Sequence, residues 1–210
     1  MLNPFAQAQF VMSCAELAQC PRDGRPELAF SGRSNSGKSS ALNALCGHKG
    51  LARVSKTPGR TQLINLFELP TGERLVDLPG YGYAKVPGRV RQDWARMVGT
   101  YVEQRTSLQG IVLIMDCRHP LTDHDRQMLE WVRNGQRPCH ILLSKSDKLG
   151  FGAGKNTFLK VRRDLQAMGV SAGVQLFSAQ TGQGLDEARA ALWKLLPSAA
   201  GLAIEIAPSL

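Results

Sequence analysis

Glu27-Leu28-Ala29-Phe30-Ser31-Gly32-Arg33-Ser34-Asn35-Ser36-Gly37-Lys38-Ser39-Ser40 is the stretch whose reading decides the fold. Residues 27–31 form a short apolar run that predicts a buried strand, residues 32–39 fit G-x-x-x-x-G-K-[ST], and a helix is predicted from 38 to about 45. Strand, glycine-rich loop and helix in that order make a phosphate cradle. A phosphate chain is held by backbone N–H groups that point inward, and the following helix adds its positive N-terminal end. Gly32 and Gly37 are expected to let the backbone approach. Lys38 is expected to reach the β- and γ-phosphates, and the Ser39 hydroxyl to ligate Mg²⁺ between them.

Outward from this loop, short apolar runs alternate with longer helical patterns. Residues 62–69 and 73–78 read as strands joined only by Pro70-Thr71-Gly72, too short for a parallel crossover, so they form an antiparallel hairpin. The runs 110–115, 139–143 and 174–177 predict buried strands. Helices are predicted from Val90, Trp94, Met97, Val98, Tyr101 and Val102, over 122–134, from Phe158, Val161, Leu165 and Met168, and from Leu185, Ala188, Leu192 and Leu195 up to Pro197. That periodicity assigns Trp94 and Tyr101 to the core. The pattern is that of βαβ units: an α/β fold on a mostly parallel sheet. The domain is expected over 27–197, with an N-terminal extension (1–26) packed on it or leading into it and a C-terminal tail (198–210).

The chain has 210 residues, 43% hydrophobic and 20% charged, which suits one globular domain and excludes a disordered chain. No run reaches the roughly 18 apolar residues that span a bilayer, and the first residues do not form a secretory leader, so a cytoplasmic protein without a membrane partner is expected. Five scattered cysteines read as free thiols rather than a zinc site. The net charge of +9 makes a nucleic acid or nucleoprotein a candidate partner, beside the simpler reading of a soluble basic surface.

A phosphate loop alone does not choose between ATP and GTP. Asp77-Leu78-Pro79-Gly80 ends a predicted strand and sets a carboxylate beside the loop, where it can hold Mg²⁺, while Gly80 can offer an N–H to a γ-phosphate. Ser144-Lys145-Ser146-Asp147 and Ser178-Ala179 each follow a strand ending on the same edge. Guanine offers N1–H and its 2-amino group to a fixed carboxylate and a 6-oxo group to a backbone N–H. Asp147 and Ala179 suit those two tasks.

This ordered set resembles the Ras-like P-loop GTPases. With Thr57-Pro58-Gly59-Arg60-Thr61-Gln62 and Asp77-Leu78-Pro79-Gly80-Tyr81-Gly82-Tyr83, it is similar to the EngB (YihA/YsxC) family of bacterial ribosome-assembly GTPases, within the TrmE-Era-EngA-EngB-like superfamily. The resemblance covers roughly residues 10–196. It implies a three-layer α/β sandwich with one antiparallel strand, a monomer that binds and hydrolyses GTP with Mg²⁺, and a partner in the large ribosomal subunit precursor or its RNA. It implies catalytic roles for Lys38, Thr61, Asp77 and Gly80, and Mg²⁺ ligation by Ser39, Thr61 and Asp77, with Thr61 in switch I and residues 80–88 as switch II. Nucleotide contacts are expected from Gly32, Arg33, Ser34, Asn35, Ser36, Gly37, Lys38, Ser39 and Ser40; from Gly59, Arg60 and Thr61; from Asp77, Leu78, Pro79 and Gly80; and from Ser144, Lys145, Ser146, Asp147, Ser178 and Ala179.

Three departures matter. Tyr81 stands where Ras-like enzymes often place a water-orienting glutamine, which implies slow unassisted hydrolysis. Asn35 resembles the asparagine that coordinates K⁺ in potassium-stimulated GTPases, with Arg33, Arg53 and Arg60 as other sources of positive charge. Ser144 replaces an asparagine or threonine of the base motif, keeping one hydrogen bond. Two other readings stay open: a P-loop ATPase or kinase, and a nucleotide-dependent RNA scaffold with incidental hydrolysis.

Overall fold

The computed structural model describes residues 3–52, 63–81 and 88–196, excluding the side chains of 88–91, 93 and 94. The switch I segment with Gly59, Arg60 and Thr61, residues 82–87 of switch II, the Trp94 side chain, Arg53 and the tail lie outside the described residues.

Among the described residues, seven strands form one sheet: β1 (Gln9–Cys14), β2 (Glu27–Gly32), β3 (Ile64–Glu68), β4 (Arg74–Asp77), β5 (Leu108–Asp116), β6 (Cys139–Ser144) and β7 (Gly173–Leu176). Their order is β1-β3-β4-β2-β5-β6-β7. β4, β2, β5, β6 and β7 are mutually parallel, and β3 runs against β4. β1 pairs antiparallel with β3, so β3 alone points the other way. The sheet is therefore mostly parallel with one antiparallel strand, and the 64–68 and 74–77 hairpin forms as its short connection requires.

Helices α1 (Lys38–Cys46) and α5 (Leu185–Trp193) cover one face, and α2 (Gly88–Gln104), α3 (Asp123–Asn134) and α4 (Phe151–Ala167) the other. Because strand side chains alternate, β2 sends Ala29 to the core under α2, α3 and α4, and Leu28 and Phe30 to the core under α1 and α5. Both faces are buried, which accounts for the nearly continuous apolar runs of β5 and β6. α1 ends at Gly47, whose φ of 65° places it in the left-handed cap conformation. α3 starts at Thr122, whose N–H donates to Asp125 Oδ2 at 2.9 Å.

Two features differ from the sequence expectation. No strand was expected ahead of residue 27, yet β1 forms an edge strand with most of its residues exposed, a position where alternation leaves little trace. Phe5 is buried and meets Trp193 edge-on at 5.8 Å between ring centroids. α4 also begins seven residues before Phe158, through a segment with two glycines whose intrinsic propensity argues against a helix.

The sheet is fastened to α2 by a buried ionic cluster. Glu27, fully buried, accepts hydrogen bonds from Tyr101 Oη at 2.7 Å, Arg105 Nε at 2.8 Å and Arg105 Nη2 at 2.5 Å. Arg105 also donates to Pro21 O. Arg137 closes the same end, donating to the carbonyls of Val102, Leu108 and Arg105. Removing one member of a buried ion pair leaves the other uncompensated. Arg105→Ala is expected to cost about 3–5 kcal/mol of unfolding free energy, measured by urea denaturation.

Candidate functional site

Parallel strands bring their C-terminal ends to one edge, and the motifs meet there. β2 ends at Gly32. A Cβ on Gly32 would lie 2.6 Å from Ile114 O and 2.7 Å from Ser36 Oγ, so glycine is required by the approach of β2 to β5 rather than by an unusual backbone angle. Gly37 has φ 96° and Asn35 has φ 62°; the turn of the loop depends on these two. Ser36 N donates to Arg33 O at 2.9 Å and Ser34 N to Tyr81 O at 2.6 Å, so these two amides hold the loop itself.

Lys38, first residue of α1, sets its Nζ on the carboxylate of Asp77 at the end of β4. Their side chains are only 12% and 10% exposed, so each is the other's counter-ion in a nearly dry setting. Ser39 follows at the same helix terminus. Leu78 is fully buried and donates from N to Phe30 O, and Pro79 is buried, while Gly80 is part-exposed beside the loop.

A cavity of about 550 Å³ opens beside α1, lined by Gly37, Ser40, Asn43, Lys145, Asp147 and Ala179 among others. Asp147 Oδ1 accepts from Ser178 Oγ at 2.6 Å, and Lys148 Nζ lies 3.1 Å from Oδ2. The Ser178 hydroxyl, then the Lys148 ammonium, hold the Asp147 carboxyl below its usual range. Ser178 is itself fully buried, and its Oγ accepts from the amides of Gln180 and Thr181. It orients Asp147 rather than facing the cavity. Ser146 is likewise turned inward, donating to Gln183 Oε1 at 2.7 Å.

The base motif is stitched to the phosphate loop. Ser144 Oγ lies within hydrogen-bonding reach of Ser36 O and of Met115 O, 3.0 Å away. Lys145, at φ 59°, extends its Nζ to Asn35 O at 2.5 Å and Asp116 Oδ2 at 2.9 Å. Asp116 is a site residue that sequence reasoning passed over. The available signal was its place at the end of an apolar strand run, beside Ser144 in register. Burial pushes its carboxyl up, but hydrogen bonds from Arg118 and Lys145 outweigh that and hold it well below the usual carboxylate range.

Tyr81 is 2% exposed, and its Oη donates to Asp125 Oδ1 at 2.7 Å. The side chain after D-x-x-G therefore points into the core under α3, away from the phosphate loop. Among the described residues, no group of three or more His, Cys, Asp or Glu side chains could hold a metal, and all five cysteines are buried free thiols.

The family model for "50S ribosome-binding GTPase" matches residues 27–145, more than half of the chain. The chain belongs to this family. The GTPase shares its fold with a "probable GTP-binding protein engB" at 20% identity and a TM-score of 0.67, covering 80% of this chain and 97% of that one. Era from Aquifex aeolicus bound to GDP·AlF4⁻ matches at 20% identity and a TM-score of 0.62, over 81% of this chain and 56% of Era. Era in complex with MgGDPNP and nucleotides 1506–1542 of 16S ribosomal RNA matches at 21% identity and 0.63, over 82% and 57%. The chain thus spans nearly all of engB and little more than half of Era. None of the described helices of the GTPase is long and apolar enough to cross a membrane.

Asp116 gives a pH prediction. Its folded value is depressed, so its contribution to stability is fully present above the unfolded carboxylate value of about 3.9 and is lost as pH falls below it. Urea midpoints of the wild type are expected to fall from about pH 6 to about pH 3 more steeply than those of Asp116→Asn.

Proposed function

We propose that this GTPase is a slow, partner-gated guanine-nucleotide switch acting in the cytoplasm as a monomer during assembly of the large ribosomal subunit, as an EngB-type protein. The observation that carries the nucleotide reading is the convergence of Lys38, Asp77 and Asp147 on one sheet edge, with Asp147 held as an oriented carboxylate beside a cavity large enough for a guanine base and its sugar. A P-loop ATPase or kinase would leave that carboxylate idle. The ribosomal partner is supported by the family description and by the net charge of +9.

In this reading Lys38 exchanges Asp77 for the β- and γ-phosphate oxygens. Ser39 and Asp77, with Thr61, are the residues that would hold Mg²⁺, and a hydroxyl, a carboxylate and phosphate oxygens are the hard donors that ion prefers. Bound there, Mg²⁺ would neutralise charge between the two phosphates. Gly59, Arg60 and Thr61 supply switch I, and Gly80 offers its N–H to the γ-phosphate. Asn35, at the loop's turn, is the candidate K⁺ ligand. With Tyr81 committed to Asp125, the position after D-x-x-G carries no side chain able to orient water, so a ribosomal partner or the cation completes the hydrolytic site.

Co-sedimentation with large ribosomal subunits in GDP and in a GTP analogue tests the switch: binding in one state only is expected, and equal binding in both overturns it. Base selection has its own test. Asp147→Asn is expected to weaken GTP binding by roughly ten- to a hundredfold, as loss of a charge-assisted pair implies, and to improve XTP binding. Competition titrations measure both, and equal competition by ATP and GTP for the wild type would remove the guanine assignment.

A further inference from the structure

A second cavity, of about 740 Å³, lies between α4 and the edge strand β7 and shares Asp147 with the guanine pocket. On the helix side its walls include Phe151, Lys155 and Phe158. With Arg162 these residues have spacings of four, three and four, which put them on one stripe of the helix. The stripe alternates aromatic ring and cation. Phe151 is 90% exposed, a large apolar surface that nothing among the described residues covers. The Arg162 guanidinium sits 5.6 Å from the centroid of the Phe158 ring, a cation–π contact that pre-orders both groups. Lys160 and Arg163 add two more exposed cations, and the helix has a single carboxylate, Asp164, lying 3.8 Å from Arg163.

Apolar grooves for protein partners gather aliphatic and aromatic side chains at their centre and deplete lysine there. Here lysine and arginine are interleaved with the rings. That is the chemistry of a single-stranded nucleic acid, whose bases stack on aromatic faces while the backbone follows positive charge. We propose that the α4–β7 groove binds a single-stranded RNA segment, with a base stacked on Phe151, a second base reaching Phe158, and phosphates on Lys155 and Arg162. The turn from Asp147 to Gly150 then separates a guanine nucleotide on one side from RNA on the other.

This inference deepens the ribosomal reading, but its assay contains only naked RNA and GDP, so its failure leaves the co-sedimentation result untouched and the reverse. Fluorescence anisotropy of a labelled single-stranded RNA of about 12 nucleotides, within the span such grooves track, is titrated with the full chain in GDP. Phe151→Ala is expected to weaken binding by roughly fivefold to a hundredfold, the worth of one stacked base. The double variant Lys155→Gln/Arg162→Gln is expected to lower the slope of log K against log salt by about 1.4, since each phosphate contact on a single strand contributes about 0.7. GDP affinity is expected to stay unchanged in both, which shows that the variants fold. Wild-type affinity in both variants overturns the proposal, as does equal binding of a duplex of the same sequence. Equal displacement by an acidic peptide would assign the groove to a protein and overturn it as well.

Discussion

The contact between Gly32 and Ile114, at the C-terminal end of the central strand pair, is the constraint on which the site depends. A side chain at residue 32 would collide with the carbonyl of residue 114, so β2 and β5 meet closely only because residue 32 is glycine. That approach fixes where the phosphate loop leaves the sheet. It lets the Ser144 hydroxyl reach the carbonyl of Ser36, and the Lys145 ammonium that of Asn35. The 144–147 motif and the phosphate loop are thus tied directly to each other, although about a hundred residues of sequence separate them.

The strands and helices that carry the motifs were legible because both faces of the sheet are buried. Short, mostly apolar runs at β2, β5 and β6, bounded by turn residues and too short for helices, fit little besides a buried strand. The edges were not legible. β1 exposes most of its residues, so no alternation marks it, and α4 starts through two glycines that local helix propensity argues against. Spacing placed Asp147 and Lys38 on one sheet edge because motif and strand end coincide. It could not distinguish the serines, since a hydroxyl's role depends on which way it turns: Ser178 and Ser146 turn inward to orient and brace, and Ser144 ties strand to loop. Tyr81 was read as a departure from the glutamine pattern. Its burial against Asp125 was beyond reach, because that partner lies 44 residues away.

The GTPase separates two kinds of charge. Three buried sites among the described residues pair opposite charges: Glu27 with Arg105, Asp116 with Lys145 and Arg118, and Lys38 with Asp77. Each is held by several hydrogen bonds or a close counter-ion, as the cost of desolvation demands. On α4, by contrast, four cations stand against a single carboxylate. Matched charge serves shape and chemistry, while unmatched charge is free to draw in a polyanion.

The Lys38–Asp77 pair extends this principle to turnover. A phosphate site that only concentrates positive charge is neutralised by its ligand alone, and such a site resists emptying. Here the lysine and the carboxylate neutralise each other, so in the proposed switch an emptied site would hold a closed, neutral dipole in place of two bare ions. In that reading, loading and unloading would be a swap of counter-ions within a nearly dry setting.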